Sequence, residues 1–142
     1  MANGYTFIGT LPMIGTKSGT TRTVVQTTSA FADSISRITP IGGASAVEFS
    51  ILYRPLTNNA ILVRVETGPD ATNMYQLVND SISGGTSTLS LRTFSHTPAT
   101  SAVTFSLPID VSTKYIRVAV RESVTDVAAS SAYVEMTILG DK

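Results

Sequence analysis

The chain predicts a single all-β domain, an antiparallel β-sandwich of jelly-roll type with about eight to ten short strands. Three observations carry that expectation. Apolar residues recur at every second position in most of the segments that are apolar at all, which is the period of a strand with one buried face. Thirteen Val, eleven Ile and 21 Thr supply the β-branched side chains that suit a pleated, half-buried surface. Turn-forming clusters fall very roughly every ten residues, as a sandwich or barrel requires.

The clearest alternation runs through Val47, Phe49, Ile51 and Tyr53, whose neighbours Glu48, Ser50 and Arg54 are polar. Ile61, Val63 and Val65 alternate with Leu62, Arg64 and Glu66; Val103, Phe105 and Leu107 with Thr104 and Ser106. Ile116, Val118 and Val120 oppose Tyr115, Arg117, Ala119 and Arg121, and Val134, Met136 and Ile138 oppose Tyr133, Glu135 and Thr137. Fainter strands are expected at Tyr5 to Leu11, Thr21 to Thr27, Met74 to Val78 and Thr88 to Phe94, and the faintest at Ile35 to Ile38. Pro40 to Gly43, Pro55 to Asn59, Gly68-Pro69-Asp70, Gly84-Gly85, Pro98 and Pro108 to Ser112 separate the runs. Two short stretches could instead be helical: Ser29 to Arg37, where Phe31, Ile35 and Ile38 share a face behind a Ser29 cap, and Thr125 to Ser131.

The 142 residues suffice for one domain with a core of its own, and no linker or repeat divides them. Residues 1–24 differ in texture. Gly4, Gly9, Gly15, Gly19 and Pro12 break any long central strand, while Tyr5, Phe7, Ile8, Leu11, Met13 and Ile14 are too apolar to be left in water. Two readings fit: an edge strand with a long loop packed on the domain's own core, or an extended N-terminal arm that lies on a neighbouring subunit. On the second reading those six apolar residues are the interface.

Charge and chemistry narrow the function. Ten basic residues balance ten acidic ones, and 14% charged residues is well below the usual quarter. The polar surface is built from 21 Thr and 17 Ser instead, short side chains that lose little entropy when docked. Without net positive charge, binding to nucleic acid is not expected. Without cysteine there is no disulfide framework, thiolate zinc site or cysteine nucleophile. His96 is the single histidine, beside a Pro turn, and reads as a rim residue. Ser83-Gly84-Gly85-Thr86 lacks the Lys of a phosphate loop and reads as a hairpin turn. Asp70, Asn73, Asn79 and Asp80 could gather as calcium ligands but lack the alternating spacing of a calcium loop. No catalytic set, cofactor or metal is expected. Glu48, Arg54, Arg64, Glu66, Arg117, Arg121, Glu122 and Glu135 fall on outward rows, where two readings fit: a solvated sheet face, or weak cross-strand ion pairs. The start has no basic, apolar leader and no run reaches the ~20 apolar residues of a membrane helix, so a soluble chain beginning at its own initiator is expected.

This texture, together with the apolar Gly-rich start and the block Asp110 to Glu122 (Asp-Val-Ser-Thr-Lys-Tyr-Ile-Arg-Val-Ala-Val-Arg-Glu), resembles the small head-decoration or cement proteins of tailed bacteriophages. The resemblance spans the chain without a family motif, and no functional residue is carried over by it. It implies a compact β fold on the outer capsid surface of the virion, made in the host cytoplasm. It further implies a homo-oligomer, most simply a trimer, that clamps the major capsid protein. Two other roles stay open: a carbohydrate- or receptor-binding module of a phage tail or fibre, and a self-assembling coat protein.

Overall fold

Strands whose side chains alternate between apolar and polar are stable only when their apolar rows meet another apolar layer, and here two antiparallel sheets supply that layer for each other. The computed structural model describes residues 5–42, 44–55, 60–96, 101–123 and 130–141, with backbone alone at 5–8, 79–80 and 141. The strands are β1 (Tyr5–Ile14), β2 (Thr16–Ser18), β3 (Thr21–Thr23), β4 (Val25–Gln26), β5 (Thr39–Pro40), β6 (Ala44–Arg54) and β7 (Ile61–Gly68). They continue as β8 (Tyr75–Gln76), β9 (Val78–Ser83), β10 (Thr86–Leu91), β11 (Phe94–His96), β12 (Val103–Asp110), β13 (Tyr115–Glu122) and β14 (Ser131–Asp141).

The first sheet has the order β1-β14-β6-β12, with β4 also on β14; the second has β11-β7-β13-β5, with β8 also on β7. The chain crosses between them repeatedly: β4 to β5, β5 to β6, β6 to β7, β11 to β12, β12 to β13 and β13 to β14 each change sheet. Facing rows interlock in one core: Val47, Phe49, Ile51, Tyr53, Val134 and Met136 from the first sheet, and Ile61, Val63, Val65, Ile116, Val118 and Val120 from the second, all essentially inaccessible to water. The five strongest alternations of the sequence are thus strands β6, β7, β12, β13 and β14, of which β12 lies at the edge of its sheet.

Two edge strands are interrupted halfway by a hairpin. Along β14, β1 ends with Ile14 opposite Val134 and β4 resumes with Val25 opposite Ala132; the intervening residues leave the sheet as the β2–β3 hairpin. Along β7, Gln76 of β8 stands opposite Glu66, the Leu77 amide donates to the Val65 carbonyl at 3.1 Å, and β11 resumes with Phe94 opposite Val63. Between them the chain makes the β9–β10 hairpin, whose neck is closed by the Arg92 amide donating to the Leu77 carbonyl at 2.7 Å. Its two-residue loop is Gly84-Gly85 with φ of 58° and 80°, the left-handed pair that this tight turn demands.

Residues 5–14, for which an arm reaching a neighbour was one expectation, run as an edge strand on their own β14. The breakers that argued against a central strand are accommodated at an edge: register shifts fall between Phe7 and Gly9 and between Pro12 and Ile14, and Gly15 (φ 85°) turns the chain into the β2–β3 hairpin. A Cβ at Gly15 would lie 2.3 Å from the Thr23 carbonyl oxygen.

The helix open to Ser29 to Arg37 as an alternative does not form; a single 3₁₀ turn covers Phe31–Asp33. The backbone groups of the following residues are taken by β13: Val120 N–H donates to Ser34 O at 3.0 Å, Ser36 N–H to Val118 O at 2.8 Å, and Ile41 N–H to Lys114 O at 2.8 Å. A helix there would forfeit this ladder. The second helical stretch, from residue 125, lies largely outside the described residues, and Ser131 opens β14.

If β1 is part of the sheet, removing residues 2–14 strips the edge of β14 and uncovers the sites of Met13 and Ile14, which are 8% and 5% exposed. Each such side chain contributes about 1.5 to 3 kcal/mol on burial. The truncated chain is expected to lose its cooperative thermal transition or melt more than ten degrees lower; a melting temperature within a few degrees of the full chain would contradict the pairing.

Candidate interaction surface

The two hairpins leave their sheets in the same manner but end in different surroundings. The β2–β3 hairpin is polar, Thr-Lys-Ser and Thr-Arg-Thr, and is tied to the outer face of the first sheet. Lys17 Nζ and Arg22 Nη2 reach the two oxygens of Glu135 at 3.5 and 3.4 Å, and the Arg22 guanidinium lies 5.5 Å from the Tyr133 ring centre. Tyr133 donates its phenolic hydrogen to Glu135 Oε2 at 3.0 Å. The outward-facing Tyr133 and Glu135 are thereby buried. Loss of solvent, then the bond to Glu135 and its negative charge, push the Tyr133 phenol up to about 12, against a smaller opposing effect of Arg22.

The β9–β10 hairpin is the converse. Register puts Val78 opposite Leu91 and Ile82 opposite Ser87. By the period of two, positions Val78, Asp80, Ile82, Ser87, Leu89 and Leu91 share one face, mostly apolar, while Asn79, Ser81, Ser83, Thr86, Thr88 and Ser90 share the other. That apolar face is uncovered: Ile82 is 75% exposed, Leu91 69%, Leu89 67% and Val78 48%, with Tyr75 of β8 at 63% beside the neck. These are the exposed large apolar residues among those described.

The base of this hairpin adjoins the free edge of β12. Leu77, Val78 and Arg92 share a hollow with Pro108, Ile109 and Asp110. A second hollow continues round the same end of β12 to Ala46, Glu48 and Leu139. Further along, a gap of about 220 Å³ between the two sheets is lined by Phe94, His96, Phe105 and Leu107. There His96 stacks on Phe105 with ring centres 4.5 Å apart, and Arg92 lies 4.4 Å over Phe94. His96 is therefore a half-buried end residue of β11 that helps close this edge.

Of the six apolar residues expected at an interface, Met13 and Ile14 are in the domain's own core and Leu11 packs against it. Tyr5, Phe7 and Ile8 lie on the backbone of β1, with side chains outside the described set. Asp70 closes its own turn, accepting from the amides of Thr72 and Asn73 at 2.8 Å each and from the Asn73 side chain; the side chains of Asn79 and Asp80 are not described. No group of three or more His, Asp or Glu positioned for a metal occurs among the described residues.

One charge departs from its expected place. Glu122 was assigned to an outward row, but it has the same parity as Ile116, Val118 and Val120, and it points inward at 1% exposure. Thr27 donates its hydroxyl to Glu122 Oε1 at 2.7 Å, so the buried carboxylate is satisfied. Burial raises the nearby Tyr53 phenol; a hydrogen bond with Ser130 opposes this and the Glu122 charge adds to it. On the outer face of the second sheet, Arg117 pairs with both oxygens of Glu66 at 2.6 and 3.2 Å, a cross-strand pair of the expected kind.

No family model and no curated protein matches the chain. Its role is therefore argued from this surface.

Because Tyr133 holds its proton more tightly folded (about 12) than an unfolded tyrosine near 10 does, its contribution to stability is intact below pH ~10 and is lost as pH rises towards 12. Absorbance titration of the five tyrosines should show one ionising about two units above a free phenol. In Glu135→Gln that phenol should shift downward, with desolvation keeping it above 10; an unchanged titration would contradict the Tyr133–Glu135 contact.

Proposed function

We propose that this chain is a structural virion protein that sits on the outside of a tailed-phage capsid and stabilises it by clamping neighbouring coat subunits. The observation that carries the reading is the asymmetry of the sandwich. At β14 the edge is sealed by β1, β4 and a hairpin held by ion pairs, while the β12 side presents three hollows, half-exposed aromatics and an uncovered apolar hairpin. A surface finished on one side and left apolar on the other is suited to docking on proteins.

The strand order supports the reading. Taking β1 with β4 and β8 with β11 as interrupted single strands, eight strands divide between two four-stranded sheets, changing sheet at every connection except β7 to β8, as in a jelly roll, an architecture common in viral capsid and lectin domains. Balanced charge and a Ser/Thr-rich exterior suit contact with coat protein rather than with the genome. In this reading the chain is a homo-oligomer, most simply a trimer, assembled in the host cytoplasm before it binds the major capsid protein.

One observation favours a carbohydrate-binding module instead: the aromatic hollow of Phe94, His96 and Phe105. The test is sedimentation of the purified protein with shells assembled from the coat protein encoded beside it, alongside a glycan array. Saturable co-sedimentation that raises the shell's melting temperature is expected. Absence of shell binding together with sugar binding would replace the reading with the second one.

A further inference from the structure

We infer that the apolar face of the β9–β10 hairpin is the surface through which copies of this chain associate with one another. The inference rests on the self-associating part of the function proposed above and is independent of the capsid part.

A two-stranded ribbon standing alone in water is marginally stable at best and gains stability when its apolar face packs on something. The strands of the chain's other hairpin carry no apolar residue, and Lys17 and Arg22 tie it to Glu135. The β9–β10 hairpin carries a largely apolar row instead, and every residue of β10 is exposed.

Area and charge point to a second copy as the cover. Val78, Ile82, Leu89, Leu91 and Tyr75 together expose on the order of 600 Å² of mostly apolar surface, at the upper end of what a monomer leaves in water. The β12 hollows adjoin it at the base of the hairpin, and a standard stable interface takes ~800 Å² per partner. Over residues 78–91 the sequence holds a single charged residue, Asp80, whose register position opposite Leu89 is on the apolar face. A partner of different composition would normally be selected by complementary charge, and this face offers almost none to select with. Identical copies need none: the whole chain is neutral, ten basic residues against ten acidic, so approach of like to like meets no net repulsion. Apolar faces from symmetry-related hairpins can then converge on a rotation axis, with each Ser/Thr face turned to water.

The test uses the full chain and two variants, Leu89→Asp and Leu91→Ser, whose side chains are 67% and 69% exposed and so can change without entering the core. Sedimentation velocity at micromolar to hundred-micromolar concentration is read beside thermal melts. The expected result is an oligomer for the native chain and a shift to monomer of tenfold or more in dissociation constant for both variants, with the fold retained by circular dichroism. A native chain that stays monomeric across that range overturns the inference, as do variants that associate like the native chain. If the native chain is monomeric and Leu89→Asp instead loses shell binding, the hairpin is the coat contact and not the self-contact. An oligomer that never binds shells leaves this inference standing and removes the capsid reading.

Discussion

The gap between the two sheets governs the rest of the molecule. It is filled by alternate residues of β6, β14, β7 and β13, and because the side-chain period in a strand is two, a slip of one residue in any of these strands would exchange its whole apolar row for a polar one. That constraint holds the register of Met136 on Phe49 and of Val118 on Val65, and through them the direction of each outward row. It also explains Glu122. Once Val120 is fixed inward, the residue two further on must follow, and the chain satisfies the buried carboxylate with Thr27 rather than breaking the strand.

Edges are the second constraint, since a sandwich leaves four of them with unpaired backbone groups. Interrupting an edge strand with a hairpin shortens the exposed ladder and lets the chain dispose of extra residues without disturbing the core. At β14 this device also makes a local electrostatic clamp, in which one carboxylate serves a phenol, a lysine and an arginine. At β7 the same topology delivers an apolar blade beside the hollows of β12. Pro108 on β12 removes one backbone donor from that edge, which discourages open-ended strand addition.

The central strands were legible in the sequence because burial on one face imposes a strong alternation, visible at Val47 to Tyr53 and Ile116 to Val120. The path of Ser29 to Ile41 was not, because Phe31, Ile35 and Ile38 are spaced for a helix, and only the pairing partner on β13, eighty residues away, decides otherwise. Breakers at Gly9, Pro12 and Gly15 were readable as unfit for a central strand, but an edge on the same chain and an arm on another satisfy them equally; β14 resolves it. The apolar face of the β9–β10 hairpin was written around Gly84-Gly85, where Ile82, Leu89 and Leu91 alternate with Ser and Thr. The periodicity places faint strands at Met74 to Val78 and Thr88 to Phe94 and passes over most of β9 (Val78–Ser83), because Ile82 is the single apolar residue between Val78 and the Gly84-Gly85 turn.

On the inference drawn above, one hairpin is tied down within the chain and the other is covered only by a second copy, a difference that amide hydrogen exchange on dilute and concentrated protein can read. Residues 16–23 should be protected to the same extent at both concentrations, whereas residues 78–91 should exchange rapidly when dilute and become protected when concentrated. Equal protection of residues 78–91 at both concentrations, whether high or low, would contradict it.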